Sequence, residues 1–117
     1  MPVQIYHNPR CSKSRQTLSL LQERGIQPEV IEYLRTPPTK TQLKKILALL
    51  NLKPRDLIRK KDPEYQQNHL DDPSLSDEQL LEAMIQHPRL IERPIVVYGD
   101  KAALGRPPES VLEILSD

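Results

Sequence analysis

Residues 3–18 read VQIYHNPRCSKSRQTL, and the change of pattern inside them decides the fold. VQIY, residues 3–6, has the composition of a short strand, whereas Ser14, Thr17, Leu18 and Leu21 recur at helical spacing until Gly25 supplies a stop. Val30 to Leu34 then reads as a second strand. Strand, polar loop, helix and strand make a β-α-β unit, whose crossover is right-handed and whose strands are parallel.

Working outward, Thr39 and Gln42 can form a capping box ahead of Leu43, Ile46, Leu47 and Leu50, and Ser76 and Gln79 can do the same ahead of Leu80, Leu81, Met84 and Ile85. Between these helices RKKDPEYQQNHLDDP, residues 59–73, has weak periodicity. IVVY, residues 95–98, is a continuous apolar run, and Gly99-Asp100 allows a tight hairpin into KAAL. A last helix is expected from Pro107-Pro108, carrying Val111, Leu112 and Leu115. The predicted order is β-α-β, helices, β-β-α. The 12 prolines fall singly or in pairs between periodic segments, so they read as joints rather than as a sign of disorder.

A chain of 117 residues predicts one domain with one core, built from Leu, Ile, Val and Tyr because Phe and Trp are absent. With 17 basic against 16 acidic residues, no overall field favours nucleic acid or an anionic membrane. No apolar run approaches the roughly 18 residues of a membrane span, and MPVQIYHNPR lacks the charged and apolar regions of a secretion signal, so a cytoplasmic location is expected. His7, His69 and His87 show no metal-ligand spacing, and no metal site is expected.

Cys11 is the only cysteine. It falls where the loop meets the first helix, where unpaired N–H groups and the helix dipole favour a thiolate. Arg10, Lys13 and Arg15 lie within four residues of it. Such surroundings take a cysteine pKa from about 8.5 to roughly 3.5–7.5. The alternative is a buried thiol acting as a small hydrophobe. Against it, residues 7–16 contain no aliphatic side chain. A single cysteine leaves no internal disulfide to release an adduct, so an external thiol has to attack it. The cysteine-phosphatase loop needs Cys-x5-Arg, and Thr17 stands where that arginine would be. Gly25, Gly99 and Gly105 are too far apart for a phosphate-cradling loop.

Four blocks, HNPRCSKSRQTL, LIRKKDPEY, ERPIVV and GRPPESVLEIL, occur in the order seen in the arsenate reductase (ArsC) family that couples to glutathione and glutaredoxin. The chain resembles that family over essentially its whole length. The resemblance implies an α/β, thioredoxin-like fold, a mixed four-stranded sheet flanked by helices, in a single domain spanning 1–117 with a helical insertion at 35–90 between the β-α-β and β-β-α halves. It implies that Cys11 attacks the arsenic of arsenate and expels an oxygen as water. Arg59, Arg93 and Arg106 would bind the oxyanion, since guanidinium forks suit a tetrahedral group with several acceptors. Pro94 would be the cis-proline beside the thiol, and His7, Ser14 and Arg15 would tune the thiolate. No cofactor is expected to be bound. Glutathione is the expected co-substrate and glutaredoxin the expected protein partner, while the substrate is arsenate or a similar oxyanion.

Plainer readings stand beside several of these assignments. Arg59 shares a basic run with Lys60 and Lys61 that solvation alone would explain. Arg106 also reads as a loop surface residue, although a second helix N-terminus there suits an anion, while His7 reads equally as a loop histidine bonded to backbone and Arg15 as a solvent-facing charge on an amphipathic helix. For the whole chain the alternative is a non-enzymatic, thioredoxin-like protein that senses thiol status or regulates transcription. Such relatives generally carry Cys-x-x-Cys, and here Ser14 occupies the second cysteine's place.

Overall fold

The computed structural model describes residues 2–115. Their contacts fall into two compact units, one formed by residues up to Thr36 and from Arg93 onward, the other by Pro37–Glu92.

The first unit holds the sheet. Strands β1 (Val3–Tyr6), β2 (Glu29–Ile31), β3 (Ile95–Tyr98) and β4 (Lys101–Leu104) lie in the order β2-β1-β3-β4. β1 runs parallel to β2 and antiparallel to β3, with Ile5 opposite both Val30 and Val96. The buried apolar residues concentrate on the two central strands, Ile5 and Tyr6 of β1 and Ile95–Val97 of β3, where the faces are covered. Ile95 and Val96 are accordingly buried, while Glu29 and Val30 on the edge strand are exposed. Helix α1 (Ser12–Glu23) makes the crossover and turns Leu21 into a core with Ile5, Val96 and Val111. Burying each of these side chains contributes roughly 1.5–3 kcal/mol. Gly99, at φ 62°, makes the tight turn between β3 and β4.

Two elements differ from expectation. The second strand ends at Ile31, because residues 33–35 close a turn in which the Arg35 N–H donates to the Glu32 carbonyl at 2.9 Å. The last helix, Pro108–Ile114, is a 3-10 helix. In that geometry residues three apart eclipse, so Pro108 and Val111 are buried with Ile114 partly covered in line with them; Val111 and Leu115 meet the core as expected, and Ile114 joins them.

The second unit is helical and lies between β2 and β3 in chain order. Helix α2 (Lys40–Leu50) starts on a complete capping box between Thr39 and Gln42 and ends at Asn51 in the left-handed conformation. Two short helices follow, α3 (Pro54–Leu57) and α4 (Pro63–Gln67), then α5 (Asp77–Gln86) on a second capping box between Ser76 and Gln79. The weakly periodic stretch is thus ordered by its termini: Pro63 opens α4, and Asp62 accepts the Glu64 N–H at 3.0 Å. Lys40 and Lys44 reach Glu78 at 2.7 and 2.8 Å and hold its carboxyl down to about 2. Among the described residues no helix is long and apolar enough to cross a membrane. The mixed four-stranded sheet with flanking helices is a thioredoxin-like α/β fold.

Candidate active site

The loop between β1 and α1 is folded against the helix it feeds. Asn8 organises it three ways: its Oδ1 accepts the Arg10 N–H at 3.0 Å, its carbonyl accepts the Cys11 N–H at 3.0 Å, and its own N–H donates to Ser14 Oγ at 3.0 Å. Ser14 Oγ also lies 2.6 Å from His7 Nδ1. Burial lowers the His7 pKa; Glu32 opposes that effect and Arg15 adds to it. In the neutral tautomer protonated on Nε2, Nδ1 accepts the Ser14 hydroxyl proton while the same oxygen accepts the Asn8 N–H. His7, Asn8 and Ser14 are all buried, so each bond removed would leave an unsatisfied polar atom away from water. Thr17, fully buried one turn later, donates to the Lys13 carbonyl at 2.8 Å.

This framework places Cys11 as the residue before the first turn of α1, in an extended conformation at φ −93° and ψ 124°. Partial burial pushes its thiol pKa up. That effect is outweighed by the Ser14 N–H, by the Arg93 guanidinium through both hydrogen bonding and charge, and by the Lys13 N–H, and the net shift is downward. The sulfur accepts no full capping hydrogen bond from the helix, yet the N–H dipoles of the first turn favour its anion. The thiolate is therefore favoured, as the sequence led us to expect, but through a distant arginine and backbone amides rather than through the side-chain charges of Arg10, Lys13 and Arg15. Ser14 likewise serves the sulfur with its backbone N–H, because its hydroxyl is committed to His7 and Asn8.

Arg93 and Arg106 arrive from the other end of the chain. Arg93 is buried, and the Arg93–Pro94 peptide is cis, as is Arg106–Pro107. Arg106 Nε donates to the Arg93 carbonyl at 2.8 Å, and its Nη2 stands 3.8 Å from Cys11 Sγ, a long contact even for a sulfur acceptor. Gly105 holds this segment close. Its N–H donates to the Pro94 carbonyl at 3.0 Å, and a Cβ there would meet Pro94 Cγ at 2.6 Å and the Thr17 hydroxyl. Arg15 points elsewhere, donating to the Pro9 carbonyl at 2.9 Å, so it fastens the loop from outside. Arg59 belongs to the second unit, where its guanidinium lies 3.9 Å from Asp62 and 3.8 Å from Glu92.

The sequence reading missed Asn8, Thr17 and Gly105. The Asn8-Pro9 dipeptide is a turn signal that could have flagged the first. The other two are defined by packing across α1 and the sheet, which no local pattern reports. Among the described residues no group of three His, Cys, Asp or Glu side chains is placed to hold a metal ion. What the arrangement offers is a nucleophilic sulfur whose charge is stabilised in place, with guanidinium donors beside it for an anion.

Fold and site together define a thioredoxin-like protein with one activated cysteine at the start of its first helix. A model of the ArsC family matches residues 6–114, and the chain belongs to that family. It is 54% identical over 114 residues to Uncharacterized protein YfgD of Escherichia coli (strain K12), covering 97% of this chain and 96% of that protein. It is 51% identical over 114 residues to an arsenate reductase of Neisseria meningitidis serogroup B, covering 97% of each. The solved structure of an arsenate reductase from Vibrio cholerae superimposes with a TM-score of 0.95 at 53% identity, over 97% of this chain and 98% of that one.

Proposed function

We propose that the chain reduces arsenate to arsenite through Cys11, drawing electrons from glutathione and glutaredoxin. The observation that supports this reading best is the meeting of Arg93 and Arg106 at the Cys11 sulfur, since a thiolate nucleophile and oxyanion donors are what the first step needs. The Cys11 thiolate forms a sulfur–arsenic bond while one arsenate oxygen leaves as water after taking up a proton. Glutathione then replaces a second hydroxyl on arsenic, again releasing water. A second thiol, on glutaredoxin or another glutathione, attacks the glutathione sulfur. The disulfide forms as the electron pair passes to arsenic, and water then releases arsenite from Cys11. The net reaction with glutathione alone turns one arsenic acid and two thiols into one arsenous acid, one disulfide and one water, the two electrons passing from the sulfurs to arsenic.

In this mechanism Arg93 and Arg106 neutralise the oxyanion as the sulfur approaches, and an oxyanion-binding role for Arg59 is carried by the family resemblance alone. His7, Ser14 and Arg15 keep the loop and the first turn of α1 in register, so that the N–H groups stay aimed at the sulfur. The protein works without a bound cofactor in the cytoplasm, with no nucleic acid or membrane partner. The test is arsenate-dependent NADPH oxidation with glutathione, glutaredoxin and glutathione reductase. Oxidation that requires all of these and Cys11 supports the reading. Formation of a Cys11–glutathione disulfide with no response to arsenate would replace it with the thiol-sensing alternative.

A further inference from the structure

We propose, resting on the reductase reading for the substrate, that Gly105 and Thr17 are positioning residues: their contact is the stop that sets how closely Arg93 and Arg106 approach Cys11. The three glycines of the chain are glycines for two different reasons. Gly25 and Gly99 sit at φ 77° and 62°, where a side chain is strained. Gly105 has no positive φ, so what it supplies is space. A Cβ there would lie 2.6 Å from Pro94 Cγ and 3.2 Å from Pro94 Cδ, and would overlap the Thr17 hydroxyl oxygen. Neither neighbour gives way easily. Pro94 is a buried ring, and Thr17 is fully buried with its hydroxyl donated to the Lys13 carbonyl at 2.8 Å.

On one side of this contact are the arginines. The Gly105 N–H donates to the Pro94 carbonyl at 3.0 Å, and Arg106 Nε donates to the Arg93 carbonyl at 2.8 Å. Residues 93–94 and 105–106 are thereby tied together, and the two guanidinium groups that serve the sulfur ride on them. On the other side is α1. The Thr17 hydroxyl is fastened one turn back to Lys13, whose N–H, with that of Ser14, favours the Cys11 anion. At Gly105 the arginine-bearing segments therefore rest directly on the helix that presents the sulfur, with no side chain between. A methyl inserted there separates residues 105–106 from α1 and from Pro94, and draws back a guanidinium that already stands 3.8 Å from Cys11 Sγ. Hydrogen bonds of this kind weaken with distance, so the absence of one methyl group sets the strength of the anion site.

The experiment compares full-length Gly105→Ala with the native chain by ultraviolet thiolate titration and by the coupled arsenate assay, under conditions where denaturation curves show both folded. The methyl should raise the Cys11 pKa toward the ordinary value of about 8.5, because it withdraws the arginines while replacing neither. It should lower kcat/KM for arsenate roughly tenfold or more, as the loss of a charge-assisted hydrogen bond does. Because Gly105 acts through Arg106, Arg106→Lys should lower efficiency far less in the Gly105→Ala background than in the native chain. Adding Thr17→Ala, which makes room for the methyl but leaves the Pro94 contact in place, should bring the pKa part of the way back. If Gly105→Ala alone does not fold, Thr17→Ala/Gly105→Ala is compared with Thr17→Ala: a higher pKa in the double variant supports the stop, and an equal one overturns it. An unmoved pKa in folded Gly105→Ala, or losses that simply multiply with those of Arg106→Lys, would make Gly105 a packing residue and overturn the proposal. The titration uses no arsenate, so a thiol that responds in a protein that never turns over arsenate would sink the reductase reading and leave the positioning standing.

Discussion

Three helices of this chain begin in contrasting ways. α2 and α5, in the helical unit, each start on a full capping box: Thr39 with Gln42 at 3.1 and 2.9 Å, and Ser76 with Gln79 at 3.2 and 2.8 Å. α1, in the sheet unit, starts on Cys11, whose side chain caps nothing. The same orphan N–H groups that stabilise α2 and α5 through serine or threonine oxygens are, in α1, left facing a sulfur. Two of the starts serve stability, and the third gives up a cap for a reactive anion. If that contrast is right, substitutions at the two kinds of start should separate activity from stability.

The largest effect should come from the groups that complete the reactive start. Lysine keeps the charge of Arg93 or Arg106 but loses one of two parallel donors. A charge-assisted hydrogen bond contributes about 1.5–3 kcal/mol, so Arg93→Lys and Arg106→Lys should each lower kcat/KM for arsenate by roughly 10- to 150-fold. Arg24→Lys and Arg35→Lys, both exposed positions outside the family blocks, should leave it nearly unchanged. Near-normal efficiency in both site variants would remove the oxyanion role and make α1 an ordinary, poorly capped helix.

Next is the titration of the sulfur. Ultraviolet thiolate absorbance should place the Cys11 pKa below the ordinary value of about 8.5. Turnover should accordingly rise with pH through that lowered pKa and level off above it. Arg93→Met should move the pKa up, because the guanidinium favours the anion by both hydrogen bond and charge. Lys13→Gln should leave it in place, since what residue 13 contributes is its backbone N–H. A pKa unmoved by Arg93→Met would transfer the effect to the helix start alone.

The same contrast explains what could be read from the sequence. Capping boxes are local, three residues apart, so α2 and α5 were legible from Thr39 and Ser76 onward. Cys11 at the head of a helix was legible for the same reason. Its electrostatic partner was not visible in the local pattern: the nearby cations Arg10, Lys13 and Arg15 suggested themselves, whereas the charge at the sulfur belongs to Arg93, which only the four-block resemblance had pointed to. Gly105 and Thr17 escaped notice because their roles exist only once the segment after β4 is laid against α1. The short helices α3 and α4 are too brief to show a period, and β2 stops at Ile31 because a turn intervenes that Tyr33 and Leu34 do not announce.

Breaking the stabilising starts should cost less than breaking the reactive one. Thr39→Ala and Ser76→Ala each remove a side-chain cap worth about 1 kcal/mol, or about 4 °C in Tm for a domain of this size. Denaturant midpoints should fall while the Cys11 pKa and the turnover at room temperature stay as they were. A drop in turnover at full occupancy of the fold would mean that the helical unit has a part in the chemistry that its caps control.

The smallest expected effect has the opposite sign. Serine is a good helix N-cap, so Cys11→Ser, although inactive, should supply the bond that α1 lacks and raise stability by roughly 0.5–1 kcal/mol at low pH. The gain should not be constant. A thiol whose folded pKa is depressed contributes stability that is fully present above its unfolded pKa, about 8.5, and lost as pH falls through the lowered folded value. Serine does not titrate there. The advantage of the variant should therefore be largest below the folded thiol pKa and shrink as pH rises toward 8.5, with the other titrating groups cancelling between the two proteins. Equilibrium denaturation of both across that range measures the difference directly. A variant less stable than the native chain at low pH would mean that the neutral thiol is already packed as an apolar group, which would turn the reactive start of α1 back into the buried cysteine that the polar loop argues against.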